Sequence, residues 1–167
     1  TGWAYPPNDH EKWAELVYQW VKHSVDRYGQ EEVESWYWEL WNEPNIAYWQ
    51  GSTEEYLRLY DYTVDALKNA LPTARIGGPH VTGPNWNVSE KFLRIFLEHC
   101  LRGVNHRTGK TGAPLDFIGF HAKHRSCHPA GKLFSDMQVQ IAAAYNFHML
   151  QHKMEIYGIC SKCLKDH

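Results

Sequence analysis

Ten residues concentrate the side chains that can do chemistry: Trp36-Tyr37-Trp38-Glu39-Leu40-Trp41-Asn42-Glu43-Pro44-Asn45. Glu43 follows directly on an aromatic run and precedes a proline. A carboxylic acid can protonate a glycosidic oxygen only if its pKa is held up near the working pH. Crowding by aromatic rings does this through desolvation, and Trp38 and Trp41 are within sequence range of Glu43. Asn42 offers hydrogen-bond donors for a sugar hydroxyl beside that acid. Composition alone also accounts for the segment, as a polar strand end running into a proline-bearing loop. Two histidines, His80 and His121, end later extended segments. A lone strand-end histidine is more often structural than catalytic.

The elements around these residues alternate. Asn8 and Glu11 are spaced as a capping box ahead of the stripe Trp13, Leu16, Val17, Trp20, Val21 and Val25, which Gly29 closes. Val33 to Trp41 alternates and reads as a strand. Ser52 and Glu55 form a second capping box before Tyr56, Leu59, Tyr60, Val64 and Leu67, and Pro72 stops that helix. Ala74 to His80 reads as a short strand. Asn87 and Glu90 open a third helix through Phe92, Ile95, Phe96 and Cys100, with Gly103 beyond it. Leu115 to His121 reads as a third strand. Helix and strand in alternation predict an α/β fold with a parallel sheet and crossover helices. About three to four βα units fit, too few for a complete eight-fold barrel of about 250 residues. If the strands are parallel, Glu43 and His121 lie at their carboxyl ends, where barrel active sites are built.

Composition narrows the partners. The chain has 167 residues and a formal net charge of −2, so neither a nucleic-acid footprint nor an anionic membrane partner is expected. No apolar run approaches the roughly 20 residues that span a bilayer, and no leader segment is read ahead of Thr1. Eight Trp and ten Tyr are a heavy aromatic load, and every Trp lies between Trp3 and Trp86. Such rings fill cores, but they also stack on the apolar faces of sugars. Trp41 and Trp49 are the candidates nearest Glu43. After Lys123 the character changes: residues 124–167 hold no Trp, five of the eleven His and three of the four Cys. Residues 133–157 carry a helical stripe. Cys160-Ser161-Lys162-Cys163 with His124, Cys127, His128 and His167 lacks a second half at recognisable spacing, so no metal is assigned there. Two segments are expected, 1–123 and a divergent tail 124–167 packed on the same domain.

The segment from Trp36 to Asn45 resembles the fourth-strand signature of the (β/α)8 glycoside hydrolases. More narrowly, it is similar to glycoside hydrolase family 39, which includes β-xylosidases and α-L-iduronidases. Three further segments fit in the same order: Pro6-Pro7-Asn8-Asp9 with Trp13 and Tyr28-Gly29, then Ile76-Gly77-Gly78-Pro79, then Asp116-Phe117-Ile118-Gly119-Phe120-His121. The resemblance covers roughly residues 1 to 123. It implies a retaining double displacement with Glu43 as acid/base, Asn42 holding a sugar hydroxyl, and His121 contacting the sugar. His80 is a weaker match. No cofactor is implied. A retaining enzyme also needs a second carboxylate about 5 Å from the first. In the family that residue ends a later strand, and the corresponding stretch here diverges. Glu155 is the candidate, since Glu98 is the last glutamate before it. The first two barrel strands have no counterpart, and Thr1-Gly2-Trp3 falls near the end of the third.

These features predict a hydrolase releasing xylose or another pentose, such as arabinose, from plant polysaccharide or oligosaccharide ends. The alternative is a catalytically inactive carbohydrate-binding domain derived from a truncated barrel. Either way the partner is a carbohydrate. A partial barrel also exposes two sheet edges and an apolar inner face, so a homo-oligomer is expected. The sequence leaves the cellular location open.

Overall fold

The computed structural model describes residues 4–83 and 87–121. The chain divides into two compact units, Thr1–Ala122 and Lys123–His167, and the described residues belong to the first. Glu155, the Cys160–Cys163 pair and the helical stripe over 133–157 lie outside the described residues.

Helix α1 spans His10–Tyr28. Its cap is Asp9 rather than the expected Asn8: the Asp9 carboxylate accepts from the N–H groups of Glu11 at 3.0 Å and Lys12 at 3.1 Å. An anionic cap satisfies orphan donors and also complements the positive end of the helix dipole. Glu11 is thereby free of the capping box and pairs with Arg107 instead. Gly29, at φ +87°, ends the helix with its N–H on the Val25 carbonyl at 2.9 Å.

The next six residues correct the strand expected from Val33. Gln30–Ser35 form a short helix, α2, and strand β1 is confined to Tyr37–Glu39. Local pairs four residues apart outweigh alternation here. Gln30 donates to Glu34 at 2.7 Å and Trp36 to Glu32 at 3.0 Å, while Glu31 and Glu32 occupy the favourable first turn.

Helix α3, Thr53–Ala70, carries the expected capping box between Ser52 and Glu55. It packs against α1, and the Trp13 indole donates to Thr63 Oγ1 at 2.8 Å. Strand β2 runs Arg75–Thr82, helix α4 Asn87–Arg102 and strand β3 Phe117–His121. The sheet order is β1-β2-β3, with both pairings parallel. Tyr56, Tyr60, Phe96, Leu59, Leu67, Ile76 and Val81 form the fully buried centre. The two buried phenols satisfy their hydroxyls on the carbonyls of Leu40 and Pro114, each at 2.9 Å.

The other face of the sheet is open. Because side chains alternate along a strand, Trp38 and Ile76 face the helices, while Tyr37 and Glu39 face away and are exposed. In a closed barrel this second face is the interior. Among the described residues no helix is long and apolar enough to cross a membrane.

Candidate active site

The three strands run parallel, so their carboxyl ends gather at one edge. Glu39 ends β1, Glu43 lies four residues on, His80 sits near the end of β2, and His121 ends β3. Glu43 is only 2% exposed. Its Oε1 lies 2.8 Å from Nδ1 of His121, which is half-buried. That contact joins two residues 78 positions apart in sequence.

Backbone strain clusters at the same edge. Trp41, Glu43 and His80 have φ of 69°, 49° and 49°, in the left-handed region that costs a non-glycine residue roughly 1–2 kcal/mol. The register between β2 and β3 slips between Pro79 and Val81, so His80 is the extra residue of a bulge. Bulges turn a side chain in a new direction. Here the His80 carbonyl accepts the Glu43 N–H at 3.2 Å, and the imidazole lies over Gly119. A Cβ at position 119 would stand 2.5 Å from His80 Cε1 and 2.7 Å from Cδ2. The glycine therefore makes the room that the ring occupies. His80 Nδ1 lies 2.9 Å from Glu39 Oε2, and the His80 and His121 rings are 5.8 Å apart. The imidazole beside Glu39 holds its carboxyl below the usual carboxylate range, against the opposing effect of partial burial.

The loop after Glu43 is anchored rather than free. Asn45 Oδ1 accepts the Thr82 N–H at 3.0 Å, and its Nδ2 donates to Ser89 Oγ at 2.9 Å. Ser89 is fully buried and donates in turn to the Thr82 carbonyl. Asn45 thus ties the Glu43 loop to the end of β2 and the start of α4.

Glu43, His121 and His80 come together as the sequence suggests. Asn42, next to Glu43, is exposed. Trp41 is half-buried, donates to the Tyr48 carbonyl at 2.8 Å and lines a groove with Trp13, Leu16, Trp20 and Trp38. Trp49 is 5% exposed, donates to the Ser52 carbonyl at 2.9 Å and packs edge-on against Trp41 and Tyr56. Its ring also lies against Gly51, where a Cβ would come within 2.8 Å. Glu39 and Asn45 were not singled out by sequence reasoning. The period-2 alternation of β1 carries a signal for Glu39, since it puts that residue two positions from Tyr37 on the open face. Nothing local marks Asn45, whose partners lie 37 and 44 residues away.

A family model for glycosyl hydrolases family 39 matches residues 2–161, reaching well into the segment 124–167 expected to diverge. A β-xylosidase from Geobacillus stearothermophilus is 36% identical over 131 residues, which are 77% of this chain and 23% of that protein. An α-L-iduronidase from Canis lupus familiaris is 36% identical over 114 residues, 66% of this chain and 17% of that protein. A solved family 39 β-xylosidase structure from Caulobacter crescentus superposes with a TM-score of 0.63 at 30% identity. It covers 84% of this chain and 28% of that one. The chain thus spans between 17% and 28% of these three relatives, and its fold is part of a (β/α)8 barrel.

Proposed function

The chain belongs to glycosyl hydrolase family 39, and from that premise we propose that it serves a retaining glycoside hydrolase whose general acid/base is Glu43. The observation that carries this reading is the buried Glu43 carboxyl, 2.8 Å from His121 Nδ1 at the carboxyl edge of a parallel sheet. A general acid must deliver a proton to the leaving oxygen and recover it from water in the second step. His121 fixes the carboxyl in one orientation, and the bulge at His80 fixes its backbone. Asn42, exposed beside it, binds a sugar hydroxyl in this reading. Glu155 remains the proposed nucleophile.

The substrate class we favour is a β-xyloside or related pentoside, because β-xylosidases are among the relatives of highest identity. One observation favours a second reading. Asn42 stands exposed beside the buried Glu43, so this edge can bind sugar without turning it over. Release of nitrophenol from aryl xylosides, arabinosides and glucosides separates the two. Turnover that is lost in Glu43→Gln supports the hydrolase. Calorimetric binding of xylo-oligosaccharide with no turnover by either protein supports the inactive carbohydrate-binding domain.

A further inference from the structure

Away from the strand ends, α3, α4 and the loop that follows α4 bring three metal-ligating side chains together. Asp61 is completely buried and His99 is 7% exposed. His99 Nε2 lies 2.9 Å from both Asp61 carboxylate oxygens, and the His106 N–H donates to Oδ2 at 2.7 Å. The His106 ring stacks on His99, with centroids 5.4 Å apart and planes 14° apart. One ligand atom from each residue lies within 4.8 Å of the other two.

A fully buried carboxylate needs a countercharge, and nearby cations are committed elsewhere. Arg107 pairs with Asp65 and Glu11, Lys68 with Asp116, and Arg102 with Glu98. Among the described residues, the His99 imidazole and the ring and N–H of His106 approach Asp61. Two histidines with one carboxylate are the donor set of a three-ligand zinc site, which leaves a fourth position open. His106 Nε2 is also 3.3 Å from Glu54 Oε1, the carboxylate–histidine support typical of ligating imidazoles.

We infer that Asp61, His99 and His106 form a binding site for a divalent transition metal, separate from the Glu43–His121 edge. Ligand bonds of about 2.0–2.2 Å ask the donor atoms to stand roughly 3.3 Å apart. The donors here lie between 2.9 Å and 4.8 Å from one another, so small side-chain shifts suffice. Both histidines and Asp61 ligate in their unprotonated forms, so binding weakens as pH falls. The ion ties α3 to α4 and to the following loop, and its effect is on stability rather than on bond cleavage.

The test titrates cobalt(II) into the chelator-treated full chain and follows its absorption. One saturable site with visible ligand-field bands and no thiolate charge-transfer band is expected. Zinc then raises the melting temperature, because it binds the folded chain alone. His106→Ala, at a partly exposed ring, is expected to weaken cobalt affinity at least about 10-fold with an unchanged circular dichroism spectrum. Should that variant not fold, His106→Gln carries the same comparison. No saturable binding overturns the inference. Equal affinity in the variant overturns it too, as does binding seen only with a thiolate band, which assigns the metal to a cysteine.

Discussion

Gly119→Ala probes whether the glycine exists to admit the His80 imidazole. A methyl there would stand 2.5 Å from Cε1 and 2.7 Å from Cδ2, and nearer still to Nε2. The ring cannot retreat easily, with Glu39 2.9 Å from its Nδ1 and Phe117 at a centroid distance of 6.2 Å. Inserting a methyl into such a space costs about 1–3 kcal/mol. Gly119 does not have a left-handed φ, so alanine meets no backbone strain and recovers about 0.4–1 kcal/mol through the unfolded chain. The net loss is roughly 1–2 kcal/mol, or a fall in Tm of about 2–8 °C for a chain of this size. The assay is thermal unfolding of four proteins: wild type, Gly119→Ala, His80→Gly and the double variant. His80→Gly removes the ring and suits the φ of 49°. On that background Gly119→Ala is expected to be neutral or stabilising, giving a coupling of about 1 kcal/mol or more. Equal destabilisation in both backgrounds would refute the packing argument, as would a more stable Gly119→Ala in the wild-type chain.

Two further outcomes follow from buried and partly buried charge. In the presence of chelator, Asp61→Ala is expected to cost about 3–5 kcal/mol, because it strands His99 and the His106 N–H in the interior; a cost below 1 kcal/mol in denaturant melts would contradict this. Glu39 has a folded pKa below its ordinary value, so the stability it contributes is present above about pH 4.5 and lost as pH falls through the lowered folded value. The Tm gap between wild type and Glu39→Gln should therefore shrink between pH 5 and pH 3, and a gap constant over that range would count against the His80 contact.

Much of the framework was legible because its signals are local. The Ser52–Glu55 box, the Gly29 stop and the apolar stripe of α3 each reside within a few residues. Parallel pairing then carried Glu43 and His121 to one edge without any pairwise signal between them. Local competition defeated the reading elsewhere. Asp9 outcompetes its neighbour Asn8 as a cap, and the Glu32–Trp36 and Gln30–Glu34 pairs hold residues 30–35 in a helix despite their alternation. The bulge at His80 follows from pairing with β3, more than thirty residues away, and cannot be seen from its own segment. The edge-on packing of Trp49 on Tyr56 is invisible for a related reason: its partner lies on the following helix, and an indole looks the same in sequence whatever it faces. The Asp61–His99–His106 cluster spans two helices and a loop, so no ligand spacing flagged it.

The role of Glu43 is tested most directly by how Glu43→Gln responds to the leaving group. A dinitrophenyl xyloside departs without protonation, whereas an alkyl xyloside requires it. If Glu43 is the acid, Glu43→Gln lowers alkyl xyloside hydrolysis by about 10²–10⁴-fold and bond cleavage in the dinitrophenyl substrate far less. Equal losses on both substrates, or no loss on either, would contradict the assignment.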